Sequence, residues 1–219
     1  MSKIVILTGA GISAESGIDT FRAEDGLWAQ HRVEDVATPE GFARDPQLVV
    51  DFYNGRRKQT AEVSPNAALA KLQQHYAGQV VIVTQNVDDL HEQGGARVIH
   101  MHGALNSALC ASCDHRWSAP MVMAVGDPCP ACQAPAARPD IVWFGEMPYD
   151  MDAIFDHLAE ADIFAAIGTS GNVYPAAGFV AEARRNGAHT VEMNLERSAV
   201  GNQFAEHRTG PATRVVTDW

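Results

Sequence analysis

The chain of 219 residues is poor in lysine, with three against thirteen arginines. Set against 27 acidic residues, these leave a formal net charge of −11. That balance excludes the clustered cationic surface that phosphate backbones require, so no nucleic-acid partner is expected. An acidic surface instead favours encounter with basic, lysine-rich protein segments. Long apolar runs are missing too. None approaches the roughly 20 residues of a membrane helix, and no membrane association is expected. No basic–apolar–small leader opens the chain, which points to a soluble, cytoplasmic protein. The short termini suggest a monomer. Internal repeats and low-complexity tracts are also absent. Cysteine is limited to four residues, all in one stretch.

What is present is a core. Apolar residues make up 46% and charged residues 20%, which suits one large domain carrying a small insert and argues against disorder. Six short segments read as strands: Lys3–Thr8, Gln79–Thr84, Arg97–Met101, Ile163–Ile167, His189–Met193 and Arg214–Thr217. Their Val- and Ile-rich or continuously apolar character fits strands buried on both faces of a parallel sheet. Helical patterns lie between them: Pro46–Glu62, Pro65–Tyr76, Met151–Glu160, Pro175–Asn186 and Ser198–His207. This alternation predicts an α/β fold with a doubly wound, Rossmann-like parallel sheet. Residues 104–140 break the rhythm with all four cysteines and five prolines. The expected organisation is therefore a Rossmann-like domain from 1–103 and 141–219 with a small cysteine-bearing insert at 104–140.

Gly9-Ala10-Gly11-Ile12-Ser13-Ala14 follows the first strand and fits G-x-G-x-x-G/A. Gly9 allows a tight turn, Gly11 a close backbone approach to a pyrophosphate, and Ala14 close helix–strand packing. A second strand should then deliver an acid about 20 residues on, to bind the adenine ribose. Glu34 and Asp35 are there, but no strand leads into them. The standard dinucleotide layout fails, so the cofactor must be held differently.

Cys110-x-x-Cys113 and Cys129-x-x-Cys132, fifteen residues apart, have the spacing of a four-cysteine zinc site. Four thiolates leave no open position, so the ion would be structural. Two disulfides are the alternative, and the absence of a secretion signal speaks against them.

A second constellation follows two other strands. Gln85-Asn86-Val87-Asp88 lies at the end of one, and His102-Gly103 at the end of the next. The carboxyl ends of strands line the ligand crevice of an open α/β sheet, so these groups should share it with the glycine turn. Asp88 can equally cap a helix beginning at Asp89. His102 competes with His91 and His100 for the role of general base.

Taken together, "GAGISAESGIDTFR", "TQNVDDLH", "HMHG", "GTS" at Gly168–Ser170 and the paired C-x-x-C insert resemble the sirtuin family of NAD-dependent protein deacylases. The resemblance spans essentially the whole chain. It implies that the turn at Gly9, Ala10, Gly11 and Ser13 cradles the phosphates of NAD, a co-substrate. Phe21 and Arg22 would lie on a mobile cofactor loop, with Phe21 shielding the nicotinamide end. Gln85 and Asn86 would contact the nicotinamide ribose, and Asp88 the carboxamide. Gly168, Thr169 and Ser170 would hold ribose and phosphate. Asn194 and Glu196 would lie near the adenosine, and Ala212 would offer a backbone contact to adenine. His102 would act as general base, with Asn86 also catalytic. The segment 142–148, through Val142, Phe144 and Gly145, would pair with an extended acyl-lysine peptide by β-augmentation. The implied chemistry is attack of the acyl oxygen on C1′ of the ribose, loss of nicotinamide, and release of lysine and 2′-O-acyl-ADP-ribose.

Gly-Ile-Asp-Thr-Phe-Arg replaces the commoner Gly-Ile-Pro-Asp-Phe-Arg and resembles the class III branch. That branch carries Tyr-x-x-Arg in the acyl pocket, here Tyr53 and Arg56, one helical turn apart. Arginine can grip a carboxylate through two hydrogen bonds, which suits succinyl- or malonyl-lysine. Deacetylation should be retained beside desuccinylation. Arg57 and Lys58 are expected to be solvated. An NAD-dependent ADP-ribosyltransferase using the same crevice is the alternative activity, and a non-catalytic NAD sensor a further one.

Overall fold

The computed structural model describes residues 2–18, 31–74 and 79–219. Phe21 and Arg22 lie outside the described residues.

Strand β1 (Ile4–Thr8) shows why the main sheet forms. Ile4 and Ile6 point into one buried cluster, Val5 and Leu7 into another on the opposite face. Alternate side chains of a strand face opposite ways, so a strand covered on both sides must be apolar throughout. β2 (Val80–Thr84) and β3 (Val98–His100) extend the sheet on one side of β1. β7 (Ile163–Ile167), β8 (His189–Asn194) and β9 (Glu206–Thr209) extend it on the other. All pairings are parallel. The order β3-β2-β1-β7-β8-β9 reverses direction between β1 and β7, the place where a doubly wound sheet opens a crevice. Helices α5 (Ala67–Gln74) and α9 (Ala212–Val215) cover one face; α7 (Met151–Ala159) and α8 (Phe179–Arg185) cover the other.

The sixth strand is not the expected Arg214–Thr217. Those residues belong to α9 and the turn after it, with Val215 and Val216 packed on the sheet. The strand lies earlier, at β9, overlapping the end of the expected helix Ser198–His207, whose place is taken by a single turn of 3-10 helix at Gly201–Gln203. An edge strand needs an apolar surface on fewer sides, so Glu-His-Arg-Thr carries no apolar signal. His189 and Arg208 both pair with Glu206 there.

The insert forms a separate antiparallel sheet of β4 (Gly103–Cys110), β5 (Arg116–Ser118) and β6 (Ala137–Ile141), with β4 central. It does not stand alone. Helices α2 (Val33–Val36), α3 (Pro39–Arg44) and α4 (Pro46–Ala61) pack on it. Val49, Phe52 and Tyr53 of α4 share a cluster with Leu105, Ile141 and Trp143; Val50 shares another with Ala108, Met123 and Ala137. The packing thus groups residues 33–61 with the small sheet, beyond the 104–140 segment expected from sequence. Caps explain the helix starts: Thr38 accepts from the Gly41 amide, Asp45 from the Leu48 amide, and a proline follows each, the arrangement that satisfies first-turn donors. Glu34 and Asp35 sit on α2, where Asp35 pairs with Arg44 and Arg32. They are therefore structural acids, consistent with the missing ribose strand.

Candidate active site at the sheet switch point

The Gly9 turn and the Gly168 turn meet at the reversal. Gly9 donates to the Ile167 carbonyl and Gly11 to the Gly168 carbonyl, both at 3.0 Å. A Cβ on Gly11 would lie 2.7 Å from the Gly168 Cα, and one on Gly168, whose φ is +65°, 2.5 Å from the Ile12 nitrogen. The first demand on these glycines is therefore mutual: two backbones cross with no room for a side chain. Helix α1 (Ala10–Ala14) starts from this crossing, with Ser13 buried beneath it.

Ser13 gathers the second constellation. Asn86 Nδ2 donates to Ser13 Oγ at 3.0 Å, and Ser13 Oγ donates to Asp88 Oδ1 at 3.4 Å. Asp88 also accepts from the Leu90 amide at 3.2 Å. Asp88 is not the N-cap of helix α6 (Leu90–Gln93), a place taken by Asp89; it stands one residue earlier, buried, with its carboxylate on the first amide of that helix. Burial raises its pKa, partly offset by these hydrogen bonds and by the positive charge of Arg56. Gln85 is fixed by its amide, which donates to the Thr8 carbonyl at 2.9 Å.

His102 Nδ1 lies 3.1 Å from the Gln85 carbonyl. A carbonyl only accepts, so Nδ1 carries the proton and Nε2 keeps its lone pair. Burial lowers its pKa, opposed by that same hydrogen bond. The ring is thus a neutral imidazole with a basic nitrogen at neutral pH, the state a general base needs. Gly103 is required beside it: φ is +79°, and a Cβ would fall 2.0 Å from the Asp140 carbonyl. The rival histidines are occupied. His100 is held between the Asn86 carbonyl and Glu92. Burial works against its charged form, but Glu92 prevails and raises its pKa. His91 is fully buried, bonded through Nε2 to Thr8 Oγ1 at 2.9 Å, and burial lowers its pKa to about 4.

On the far side of the reversal, Asn194 Nδ2 donates to the Thr169 carbonyl at 2.6 Å. Ser170 Oγ accepts from the Asn172 amide. Glu196 is exposed on the loop after β8, and Ala212 opens α9.

Tyr53 and Arg56 of α4 are both buried. Trp143 Nε1 donates to the Tyr53 hydroxyl at 3.1 Å. Burial drives the phenol pKa well above its ordinary value, so it stays a neutral donor. Arg56 acts electrostatically on both Tyr53 and Asp88, linking this pocket to the crevice. Arg57 corrects the expectation of a solvated pair. It is buried and donates to the Leu105 carbonyl at 2.8 Å and to Asn54 Oδ1 at 2.6 Å. Burial lowers its pKa to about 10. Lys58 is exposed, as expected.

The 142–146 segment differs from a bare strand. The Val142 amide donates to the His102 carbonyl and the Phe144 amide to the Ala37 carbonyl, each at 2.9 Å. Glu146 accepts from the Trp143 amide and forms a two-point pair with Arg138. Arg138 lies 3.9 Å over the Trp143 ring. Phe144 is exposed, and a Cβ on Gly145, whose φ is +95°, would point into open space. Sequence reasoning missed this Arg138–Glu146 brace, because its partners come from a strand and a turn with no motif.

The four cysteine sulfurs lie within 4.8 Å of one another, Cys110 to Cys132 at 3.6 Å and Cys113 to Cys129 at 3.8 Å. Disulfides need about 2.05 Å. A zinc tetrahedron with 2.3 Å bonds has edges near 3.8 Å. Both knuckles share one backbone plan. The amides of Ser112 and Ala131 donate to the first sulfur of each, and Asp114 and Gln133 then turn with φ of +57° and +62°. The donor set fits a structural zinc ion and leaves no fifth ligand for chemistry.

The fold and the crossed glycine turns describe a doubly wound, Rossmann-like α/β protein with its ligand crevice at the sheet reversal. The Sir2 family profile matches residues 9–175, and the chain belongs to the Sir2 family. It is 58% identical over 224 residues to the NAD-dependent protein deacylase of Escherichia coli strain K12, covering 99% of this chain and 80% of that protein. The NAD-dependent protein deacylase of Vibrio vulnificus strain CMCP6 is 57% identical over 218 residues, covering 96% and 89%. Among solved structures, a Sir2 homologue in complex with NAD superposes with a TM-score of 0.90 at 36% identity, covering 99% of this chain and 88% of that one. A Sir2 bound to deacetylated p53 peptide and 3′-O-acetyl-ADP-ribose superposes with a TM-score of 0.81 at 25% identity, covering 98% and 91%.

Proposed function

We infer that this chain is an NAD-dependent protein lysine deacylase that removes acetyl and succinyl or malonyl groups from acylated proteins. The observation that carries this reading is His102, neutral and tautomer-fixed by Gln85, beside the Asn86–Ser13–Asp88 chain at the sheet reversal. NAD supplies an electrophilic ribose carbon once nicotinamide departs. The chain's own residues do the rest. The crossed turns at Gly9, Gly11 and Gly168 leave backbone open to phosphate. Asp88, buried and carrying acceptor oxygens, suits a carboxamide NH₂. His102 Nε2 takes a ribose hydroxyl proton, and the Gln85 carbonyl stabilises the resulting imidazolium through Nδ1–H. Asn194, Glu196, Thr169, Ser170 and Ala212 take the adenosine half, and the Cys110–Cys132 site holds structural zinc.

Tyr53 and Arg56 give the acyl pocket one neutral donor and one cationic fork. That pairing favours a distal carboxylate while a methyl group still fits. Substrate peptide docks along 142–146. With the Val142 and Phe144 amides already engaged, the exposed Phe144 and the open Gly145 backbone are the surfaces left for it. Among the described residues no helix is long and apolar enough to cross a membrane; we place the protein in the cytoplasm as a monomer. A transferase acting on protein side chains would have no use for a carboxylate-gripping acyl pocket.

The test is NAD-dependent turnover of matched acetyl- and succinyl-lysine peptides, with nicotinamide and O-acyl-ADP-ribose quantified. Both products are expected from both peptides, with lower KM for succinyl-lysine. Arg56→Met should abolish that preference and spare deacetylation. Equal loss of both activities would remove the carboxylate clamp, and ADP-ribosylated protein as the product would support the transferase.

A further inference from the structure

Helix α4 carries two sets of polar residues on adjoining sides. Tyr53 and Arg56 turn toward Trp143 and Asp88. Asn54 and Arg57 turn toward the insert and meet Met123. Asn54 Nδ2 donates to the Met123 carbonyl at 2.9 Å, and Asn54 Oδ1 accepts from the Met123 amide at 3.0 Å. This two-point amide clasp treats residue 123 as a strand partner. Arg57 completes it, donating to Met123 Sδ at 2.9 Å, to Asn54 Oδ1 and to the Leu105 carbonyl. Met123 itself is buried with Val50, Ala108 and Ala137.

Met123 sits in the loop between the two cysteine knuckles. The sulfurs of Cys113 and Cys129, one on each side of it, are 3.8 Å apart. Closing that loop with one ion fixes both its ends. Ala124 is tied to Asp127, and Asp127 to the Ala137 amide, so the loop's course runs back into β6. A buried arginine and a fully paired asparagine are costly unless every group is satisfied. Here Met123 supplies both backbone contacts of the Asn54 amide, Arg57 adds a third at Asn54 Oδ1, and Arg57 in turn is held by Leu105 and Met123 of the insert.

We propose that Asn54 and Arg57 are positioning residues for acyl selection, fastening α4 to the zinc-closed loop through Met123 and thereby setting where Tyr53 and Arg56 stand. The proposal rests on the acyl-pocket reading of Tyr53 and Arg56 given above. Asn54 lies next to Tyr53 in sequence, and Arg57 next to Arg56. A small rotation of α4 would therefore swing the carboxylate donors out of register, and a bidentate contact tolerates that poorly. An acetyl group makes no such contact and is insensitive to it.

Asn54→Ala and Arg57→Met are each expected to raise KM for a succinyl-lysine peptide about five- to tenfold, with kcat and KM for the acetyl-lysine peptide changing less than about twofold. Zinc content should stay at one ion per chain, since no thiolate is touched. Arg57→Lys keeps one donor toward Leu105 and should recover part of the KM. Met123→Leu removes only the sulfur acceptor and serves if Arg57→Met does not fold. An independent readout is amide exchange across 46–61: a chelator should accelerate it to the level seen in Asn54→Ala. Equal proportional loss on both peptides, or α4 exchange indifferent to zinc removal, would overturn the proposal. Arg56→Met separates the two ideas. If it leaves the succinyl preference intact, the acyl-pocket reading has failed. If it abolishes the preference while Asn54→Ala and Arg57→Met retain it, only the clasp has failed.

Discussion

The crevice and the insert hold their polar groups by opposite means. At the crevice, order comes from backbone. Gly9, Gly11 and Gly168 cross too closely for any side chain, and Ser13, Asn86 and Asp88 hang from that crossing in one hydrogen-bonded chain. At the insert, two loops of similar shape bring four sulfurs together, and the chain offers no bond to close them. One region is preorganised by steric fit, the other by a ligand. Failure should therefore look different in each: graded strain at the crevice, outright opening at the insert.

Chelation gives the largest expected effect. Structural zinc contributes on the order of 10 kcal/mol in small domains, enough to release β5 and the 119–128 loop completely. Amide exchange in 104–140 should collapse to unprotected rates, while β1, β2 and β7 keep most of their protection. Uniform loss of protection in both sheets would show that the two regions do not fold separately. Next comes His102→Ala. Removing a general base costs about 10²- to 10⁴-fold in rate, so kcat should fall by that range with NAD affinity by calorimetry little changed. The pH profile sharpens it. Because burial holds the His102 pKa down, kcat/KM should rise through a pKa below the ordinary 6.5.

Gly168→Ala comes third and tests steric preorganisation directly. The new Cβ would meet the Ile12 nitrogen at 2.5 Å from a backbone at φ +65°. Strain and overpacking together cost about 2–4 kcal/mol. Urea unfolding should register that loss, and NAD should bind more weakly with zinc content unaltered. Retained stability with full NAD affinity would mean that the crossing adjusts easily, and the contrast between the regions would dissolve.

How much of this was legible in sequence follows the same division. Gly9–Ala14, Gln85–Asp88, His102-Gly103 and the cysteine knuckles are local motifs. Each is recognisable within its own short segment and five of the six strands of the main sheet are apolar runs, so both could be read directly. The carboxyl ends of the strands of such a sheet give the place where the motifs converge. β9 escaped because Glu206–Thr209 is an edge, where charge is tolerated. Arg57 escaped because "RRK" has the look of a solvated run, and only Asn54, Leu105 and Met123, brought from elsewhere, reveal its burial. The partnership of α4 with the small sheet is of this kind throughout. It depends on contacts between residues far apart in sequence, which no local pattern encodes.

His91 gives the smallest effect and the finest probe of the crevice. It lies beneath the β1 and β2 termini, where Thr8 Oγ1 donates to Thr84 Oγ1 at 2.8 Å and Thr84 Oγ1 accepts from the Asn86 amide at 3.0 Å. With Thr8 donating onward, His91 Nε2 must be the donor to Thr8, and its buried Nδ1 has no partner among the described residues. The ring is therefore neutral, with a pKa near 4 against 6.5 when unfolded. The unfolded chain then binds the extra proton first. Stability from this group is complete above pH 6.5 and drains away as pH falls toward 4. Between pH 7 and pH 5 that amounts to about 2 kcal/mol. His91→Gln keeps a donor for Thr8 and removes the titration. Urea unfolding of both forms at the two pH values isolates the histidine, because His100, whose raised pKa works in the opposite direction, is common to both. The variant should lose about 2 kcal/mol less than the parent on acidification. Parallel losses would mean that His91 protonates without opening the Thr8–Thr84–Asn86 line, and that the crevice yields to charge where it does not yield to bulk.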